Sequence, residues 1–292
     1  MNRDTSEKNI KIPEQDHLRA GLYIVATPIG NLRDITLRAL DTLRGADVIA
    51  CEDTRVSGKL LKAYDISKPL LSYNDHSDEK KRDHILRDIQ GGKSVALISD
   101  AGCPLISDPG YKLVREARDR NLFVTSIPGA SALLTGLQLS GLPSNQFAFL
   151  GFLPPKSQAR VHMLQKYSGV EMSLITYETG PRLLASLQDI KTSFGERRVC
   201  VARELTKLYE EIKTAPISDL ITYYKEHGAP KGEIVLVIEP ALERQWTQAD
   251  IENLLKEALK QSKTKQAANY VADITGRPKK EIYDMALKLR AD

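Results

Sequence analysis

The sequence predicts an α/β protein of two domains, each a β-sheet between layers of helices (αβα), with a cleft between the domains and a small helical segment at the C-terminal end. Short apolar runs, typical of buried strands, alternate with stretches whose apolar residues recur at helical spacing. The alternation pauses at a turn-rich stretch, GLPSN (141–145), and then resumes. After Pro240 the pattern is purely helical. The expected segments are a loose polar N-terminal tail (1–20), two α/β domains (21–142 and 143–240) and a helical C-terminal segment (241–292).

The first domain contains four strand-like runs, each followed by a helical pattern. The runs are LYIVAT (22–27), DVIACE (47–52), SVALIS (94–99) and LFVTSI (122–127). Helical spacing follows them around Ala39, around Leu86, around Val114 and after the PG pair at 128–129. Ser77 or Asp78 is a candidate cap for the second of these helices. Strands and helices in alternation predict a largely parallel sheet with helices on both faces.

The second domain repeats the alternation. Its strand-like runs are FAFLGF (147–152), SLITYE (173–178), RRVCVARE (197–204) and GEIVLVIEP (232–240), with helical stretches such as RLLASLQDI (182–190) and ISDLITYYKEH (217–227) between them. Two such domains form a natural cleft for a ligand.

The C-terminal segment has two helical stripes separated by TGRP (275–278), which is typical of a helix-turn-helix. Residues 256–280 carry seven basic and two acidic side chains, a local net charge of +5. Contact with a phosphate backbone is one interpretation, and a solvated helical face is an equally good one.

Composition places the chain among ordinary globular proteins, because 41% of its 292 residues are hydrophobic and 27% are charged. Neither a signal peptide nor a long apolar run for a membrane span is evident, so we expect a cytoplasmic protein with no membrane partner. The three cysteines, Cys51, Cys103 and Cys200, never form a CxxC pair, so neither a disulfide framework nor a metal site is expected. A net charge of +4 permits a nucleic-acid partner without requiring one.

Three turn-rich loops follow predicted strands of the first domain: TPIGN (27–31), SDAGCP (99–104) and PGASA (128–132). Ligands of open α/β sheets bind beyond the carboxyl ends of the strands, and Gly and Pro allow backbone to approach them closely. The dinucleotide, P-loop, G-x-S-x-G and H-E-x-x-H motifs are all missing from the sequence. From the residues alone we therefore predict a two-domain protein with a Gly/Pro-rich cleft, without naming its ligand.

A family resemblance extends this prediction. It is carried, in chain order, by GLYIVATPIGNLRDIT (21–36), CEDTR (51–55), SDAGCPLISDPGY (99–111), PGASA, GLP with GFLP (151–154), ELTK (204–207) and KGEIVLVIE (231–239). Together these stretches resemble the tetrapyrrole methylase-like, class III methyltransferases, and within them the members that methylate small-subunit ribosomal RNA. The resemblance implies an enzyme that binds S-adenosyl-methionine between its domains and methylates the ribose 2′-oxygen of a cytidine in the decoding region of 16S rRNA. It also implies a cytoplasmic protein, usually a homodimer.

The resemblance also assigns residues to the cofactor site. They are Pro28, Asp100, Ala101, Gly102, Ile106, Ser131 and Ala132 in the first domain, with Tyr177 and Leu205 in the second. The family commonly has a His shortly after Tyr-Glu in the second domain, whereas here the run is YETGPRL (177–183). This chain has no imidazole at that place, and the polar residues there are Glu178 and Arg182.

Methyl transfer to a hydroxyl requires a group that takes the proton. The candidates are Glu52, Asp53, Asp100 and Glu178, of which we predict Asp53 and Glu178 as catalytic. A helix cap or a salt bridge to Arg55 is the more ordinary role for Asp53.

RNA binding requires cations around the cleft. The expected set is Arg33, Arg55, Lys156, Arg160, Arg182, Arg203 and Lys207, although each alone is an ordinary surface charge. Two other functions remain open at this point. One is methylation of a tetrapyrrole or another small molecule, and the other is non-catalytic binding to RNA or the ribosome.

Overall fold

The computed structural model describes residues 18–74, 79–241 and 246–291. The chain divides into two compact units after Pro240. Most of the predicted N-terminal tail and the candidate caps Ser77 and Asp78 lie outside the described residues. Within the part that is described, no helix is long and apolar enough to cross a membrane.

The first sheet is entirely parallel, as the alternating pattern predicts. Its strands are β1 (Gly21–Val25), β2 (Val48–Cys51), β3 (Leu70–Ser72), β4 (Ser94–Ile98) and β5 (Val124–Ile127), in the order β3-β2-β4-β1-β5. Strand β3 was not predicted, because this edge strand has only three residues and all are half-buried. The carboxyl ends of β1, β4 and β5 lie side by side and carry the three Gly/Pro-rich loops.

Helices cover both faces of this sheet, because successive strand residues point to opposite sides. Tyr23 and Ile49 pack with α1 (Leu37–Gly45) and α2 (Thr54–Ala63). Leu22 and Leu97 pack with α3 (Glu79–Gln90) and α4 (Tyr111–Asp119) on the other face. Each fully buried Leu or Ile contributes about 1.5–3 kcal/mol relative to an exposed one, so the two layers hold the strand ends in place.

The second sheet is mixed. Its strands are β6 (Phe147–Phe152), β7 (Ser173–Thr179), β8 (Arg198–Arg203), β9 (Glu211–Pro216) and β10 (Glu233–Ile238), in the order β6-β7-β10-β8-β9. Only β6 and β7 are parallel, and the other neighbours are antiparallel. The edge strand β9 was not predicted, because its residues EIKTAP are half-buried and largely polar.

This sheet also lies between helical layers, so the predicted αβα arrangement is confirmed for both sheets. One face packs against α6 (Ser157–Gln165), α7 (Gly180–Phe194) and α8 (Ile217–His227). The other packs against α5 (Ala132–Leu139), whose Leu133 and Leu137 contact Val235 and Val237. The first turn of α5, which follows the PGASA loop of the first sheet, is thereby held beside the second sheet.

The C-terminal unit consists of α9 (Gln248–Gln261), α10 (Thr264–Thr275) and α11 (Lys279–Ala291). Its core contains Ile251, Leu255, Val271 and Ile282. Gly276 ends α10 in the left-handed conformation, with φ of 66°, which only Gly adopts without strain. The short turn that follows leads directly into α11, in the helix-turn-helix arrangement that the sequence predicts.

Candidate active site

A cleft of about 360 Å³ lies between the two sheets of the first unit. One wall consists of the loops after β1, β4 and β5 and of Glu52 after β2. The other consists of residues from β7 and β10, Phe152 at the end of β6 and Leu205 after β8. The volume falls in the range of small-molecule binding sites, about 300–1,000 Å³.

The loops after β1 and β4 are fixed to each other by backbone hydrogen bonds. The Thr27 N–H donates to the Gly102 carbonyl at 2.9 Å, and the Gly102 N–H donates to the Thr27 carbonyl at 3.1 Å. The Thr27 hydroxyl donates to the Ser99 carbonyl at 3.2 Å. Gly102 has φ of +80°, and a Cβ there would lie 3.3 Å from the Ile29 side chain. The pair of loops therefore forms a rigid backbone wall that requires Gly at this position.

The loop after β4 also contains two non-Gly residues in the left-handed region, Leu105 with φ of 72° and Ser107 with φ of 67°. Such conformations are uncommon for residues with a side chain and cluster at ligand sites. Leu105 is held by packing into the apolar core beneath the sheet. Ser107, together with its neighbours Ile106 and Asp108, lines the cleft.

The structure brings nearly all of the predicted cofactor residues together. Those that line the cleft are Asp100, Ala101, Gly102, Ile106, Ser131, Ala132, Tyr177 and Leu205. Pro28 is not part of the lining, although its neighbour Ile29 is. Ile29 and Leu205, which are more than 170 positions apart in the sequence, thus line the same cleft. The order of the loops in the sequence did not show this.

The first turn of α5 forms part of the wall. Ser131 is its N-cap, and the Ser131 side chain makes no capping hydrogen bond. The first N–H groups of a helix lack partners within the helix and favour an anionic group nearby. This turn is therefore suited to a carboxylate.

Tyr177 provides an apolar surface on the opposite wall. Its ring packs edge-on against Phe149, at 4.8 Å between ring centres, and against Phe152, at 5.5 Å. Burial raises the pKa of the Tyr177 hydroxyl to about 12, so the hydroxyl stays protonated at neutral pH.

Three carboxylates line the cleft close to one another: Glu52, Asp100 and Asp108. Burial raises the pKa of Asp108 to about 6, with a smaller contribution from the charges of Glu52 and Asp100. Burial and neighbouring carboxylates also raise the pKa values of Glu52 and Asp100. None of the three forms an ion pair with a basic side chain of the described residues. The cleft therefore holds uncompensated negative charge.

Asp108 was missed in the sequence. The available signal was that SDAGCPLISDPG contains a second Asp just before a helix, but an Asp in a turn before a helix is ordinary. Its distinguishing features, partial burial and the proximity of Glu52 from a different strand, arise only in the fold.

Asp53 is occupied by local contacts. Its side chain caps α2 by accepting from the Arg55 N–H at 2.8 Å, and it also accepts from the Arg55 guanidinium at 2.6 and 3.1 Å. These hydrogen bonds lower the pKa of Asp53 to about 2. Glu52, rather than Asp53, lines the cleft. The helix cap and the salt bridge to Arg55, which are the more ordinary roles expected for Asp53, are both present.

Glu178 borders the cleft, but its side chain is fully buried. Its carboxylate accepts from the Thr179 N–H at 2.8 Å and from the Ser186 hydroxyl at 2.5 Å, and it pairs with Arg182 at 3.2 Å. Arg182 in turn donates to the Leu153 carbonyl at 2.5 Å. These contacts join β7, α7 and the segment after β6, which indicates a structural role for the pair.

The predicted RNA-binding cations fall into two groups. Arg203 pairs with Glu211 at 3.3 Å, Lys207 pairs with Glu204 at 2.9 Å, and Arg160 is buried beside Asp189. These residues, like Arg182, are therefore held in ion pairs within the fold. The exposed members of the set are Arg33, Arg55 and Lys156, of which Arg55 pairs with Asp53.

Cys103 is not an activated nucleophile. Its Sγ lies 3.4 Å from the Ala130 carbonyl oxygen, and burial raises the pKa of the thiol. A thiol with a raised pKa is mostly unreactive at neutral pH.

Comparisons with known proteins agree with this architecture. Residues 21–221 match the family model of tetrapyrrole (corrin/porphyrin) methylases, and residues 247–290 match a model described as the RsmI C-terminal HTH domain. Two similar relatives are both named ribosomal RNA small subunit methyltransferase I. The protein of Erythrobacter litoralis is 55% identical over 281 residues, 95% of this chain and 99% of the relative. That of Rickettsia prowazekii is 46% identical over 276 residues, 93% of this chain and 98% of the relative.

A solved structure shares the fold at low sequence identity. It is uroporphyrin-III C-methyltransferase from Thermus thermophilus, complexed with S-adenosyl homocysteine. The two chains superpose with a TM-score of 0.52 at 17% identity, over 75% of this chain and 97% of the other.

Proposed function

The chain belongs to the ribosomal RNA small subunit methyltransferase I family, within the tetrapyrrole methylases, and we propose that it methylates the ribose 2′-oxygen of a cytidine in the decoding region of 16S rRNA, using S-adenosyl-methionine. The observation that carries this proposal is the likeness to relatives of that name along almost the whole chain, through both the methylase part and the C-terminal helices. A cytoplasmic homodimer completes the proposal.

The cleft fits S-adenosyl-methionine chemically. That molecule has a positive sulfonium, a positive ammonium, a carboxylate and an adenosine. Uncompensated carboxylates at Glu52, Asp100 and Asp108 suit its positive groups, and the first turn of α5 suits its carboxylate. Ile106, Tyr177 and Leu205 would provide the apolar contacts that an adenosine needs. When bound, the sulfonium supplies an electrophilic methyl group.

The protein's part in such a transfer is mostly alignment. When bound, S-adenosyl-methionine would supply a leaving group that is a neutral thioether, so the chain needs no acid to expel it. Holding the attacking oxygen in line with the methyl carbon and the sulfur supplies up to about 7–11 kcal/mol in well-oriented reactions. The rigid backbone wall at Thr27 and Gly102 serves this alignment. A carboxylate of the cleft must then take the proton of the ribose hydroxyl.

RNA would be held by exposed cations outside the cleft. Arg33 and Lys156 are exposed on the first unit. On the C-terminal unit, Lys263, Lys265 and Lys280 are exposed and form no ion pair with a described acidic side chain. Phosphate contacts of this kind make binding depend steeply on salt.

The test of this function is transfer of a tritiated methyl group from S-adenosyl-methionine. Small ribosomal subunits from cells lacking the protein are one acceptor, and uroporphyrinogen III is the other. We expect label in the 16S rRNA and none in the tetrapyrrole. Label in the tetrapyrrole alone would replace the proposed function with small-molecule methylation. Cofactor binding without transfer to any acceptor would favour a non-catalytic role.

A further inference from the structure

Asp108 is the most buried of the three carboxylates in the cleft, and charged or titratable groups from several elements surround it. Glu52 approaches from the end of β2, Tyr177 from β7, and Asp100 and Cys103 from its own loop. The Ser99 hydroxyl, which donates to the Gly102 carbonyl at 3.3 Å, lies beside it and offsets part of the rise in the pKa of Asp108. The other acidic residues that line the cleft are Glu178, which is paired with Arg182, and Glu233, which is paired with Lys207.

The charged groups closest to Asp108 in the cleft are all negative. Glu52 and Asp100 repel its ionised form, and burial removes part of its hydration. No basic side chain of the described residues lines the cleft to compensate. A cationic ligand bound there would therefore stabilise the ionised form of Asp108, whereas a neutral ligand of the same shape would not.

We propose that Asp108 accepts the proton of the attacking ribose hydroxyl, and that the charge of the bound cofactor controls when it does so. This inference rests on the proposed function. The bond between the ribose oxygen and the methyl carbon forms as the bond from that carbon to sulfur breaks, and its electron pair stays on sulfur. The hydroxyl proton moves to the Asp108 carboxylate.

The charge balance explains why this carboxylate suits the task. A positive charge disappears from sulfur and a positive charge arrives on Asp108 as the proton, so the total charge of the cleft and its contents is unchanged. Beside a bound sulfonium, Asp108 would stay ionised and ready to accept a proton. Beside the neutral thioether, Asp108 would retain the proton next to Glu52 and Asp100.

Proton linkage in cofactor binding tests this inference without any acceptor RNA. The full chain is titrated calorimetrically at pH 6 with S-adenosyl-methionine and with S-adenosyl-homocysteine, in two buffers of different ionisation enthalpy. Because the pKa of Asp108 is about 6, the free protein is about half protonated there, and the sulfonium should expel roughly half a proton. S-adenosyl-homocysteine carries the same ammonium but no sulfonium, so it should expel distinctly less.

Two Asp-to-Asn variants show which carboxylate releases the proton. Asp108→Asn should abolish the difference between the two ligands. Asp119→Asn, at a mostly exposed carboxylate on α4, should retain it. Equal proton counts for both ligands in the wild-type chain, or a difference that survives in Asp108→Asn, would overturn the inference. Failure of S-adenosyl-methionine to bind at all would instead overturn the proposed function, and the inference with it.

A single-turnover assay adds a catalytic readout. Loss of a general base costs about 10²- to 10⁴-fold in rate. We expect Asp108→Asn to lose methyl transfer to small subunits in this range, with an unfolding temperature no lower than that of the wild type. Because a bound sulfonium lowers the pKa of Asp108 from its value of about 6 in the free chain, the wild-type rate should fall only at a pH clearly below 6. A folded variant that transfers at the wild-type rate would refute a catalytic role for Asp108.

Discussion

Replacing Glu178 with Gln separates a structural from a catalytic role for this residue. The substitution keeps the shape of the side chain and removes its charge, so Arg182 keeps its hydrogen bonds to the Leu153 and Pro154 carbonyls but loses its ionic partner. Breaking a buried ion pair by removing one member costs about 3–5 kcal/mol. The side chain of Arg182 is 30% exposed while that of Glu178 is 0% exposed, so water compensates part of the loss. We expect a cost of about 3 kcal/mol, at the lower end of that range.

Thermal unfolding of the full chain measures this cost. For 150–250 residues, 1 kcal/mol shifts the midpoint by about 2–4 °C, so the first unit should unfold roughly 6–12 °C lower in Glu178→Gln. The matched control is Glu171→Gln, at an exposed position just before β7, which should change stability by less than about 0.5 kcal/mol.

Activity of the variant decides between the two roles. Below its lowered midpoint, Glu178→Gln should transfer methyl groups within about tenfold of the wild-type rate, since the loss of a general base costs at least about 100-fold. An unchanged midpoint together with a rate lowered by 100-fold or more would refute the structural role and restore Glu178 as a catalytic residue.

Three further predictions follow from the cleft and the C-terminal helices. The raised pKa of Asp108, from 3.8 to about 6, makes stability fall as pH rises through that window, because the ionised form is disfavoured only in the fold. Asp108→Asn should therefore raise the free energy of unfolding by about 1 kcal/mol above pH 6. The shift in pKa corresponds to about 3 kcal/mol, which is reduced here for solvent screening. Near pH 3.5 the substitution should leave the free energy of unfolding unchanged, and denaturant titrations at both pH values check this. Gly102→Ala should leave the fold intact but weaken cofactor binding by tenfold or more, about 1.4 kcal/mol, because its φ of +80° disfavours a side chain; calorimetry measures the affinity. Replacing Lys263, Lys265 and Lys280 by Ser should lower the slope of log affinity for rRNA against log salt by about 2, as measured by filter binding.

The central strands could be predicted from the sequence because burial on both faces gives them continuous apolar runs. The same reasoning failed for β3 and β9, which are edge strands with half-buried residues and no such run. The direction of the strands was predictable only for the first sheet. Alternation of strands and helices in the second half did not reveal that β8, β9 and β10 run antiparallel to their neighbours.

The parts of the site that are formed by backbone could be predicted from the sequence. The parts that depend on side-chain contacts were harder to predict. Gly102 and the first turn of α5 were marked by Gly and Pro after apolar runs. The properties of Asp108 depend on Glu52, which precedes it by 56 positions, and on partial burial, so no local pattern identified it. For the same reason the sequence did not show that Arg182, Arg203 and Lys207 are held in ion pairs.

The most direct test of the proposed methylation is the position of the methyl group on the rRNA. The 16S rRNA of wild-type cells and of cells lacking this protein is subjected to alkaline hydrolysis, which a 2′-O-methyl group blocks at the modified nucleotide. We predict one cytidine of the decoding region that resists hydrolysis in the wild type, becomes cleavable in the deletion strain, and regains resistance when purified protein and S-adenosyl-methionine are added to the mutant subunits. An identical cleavage pattern in both strains, unaffected by the protein, would contradict the account.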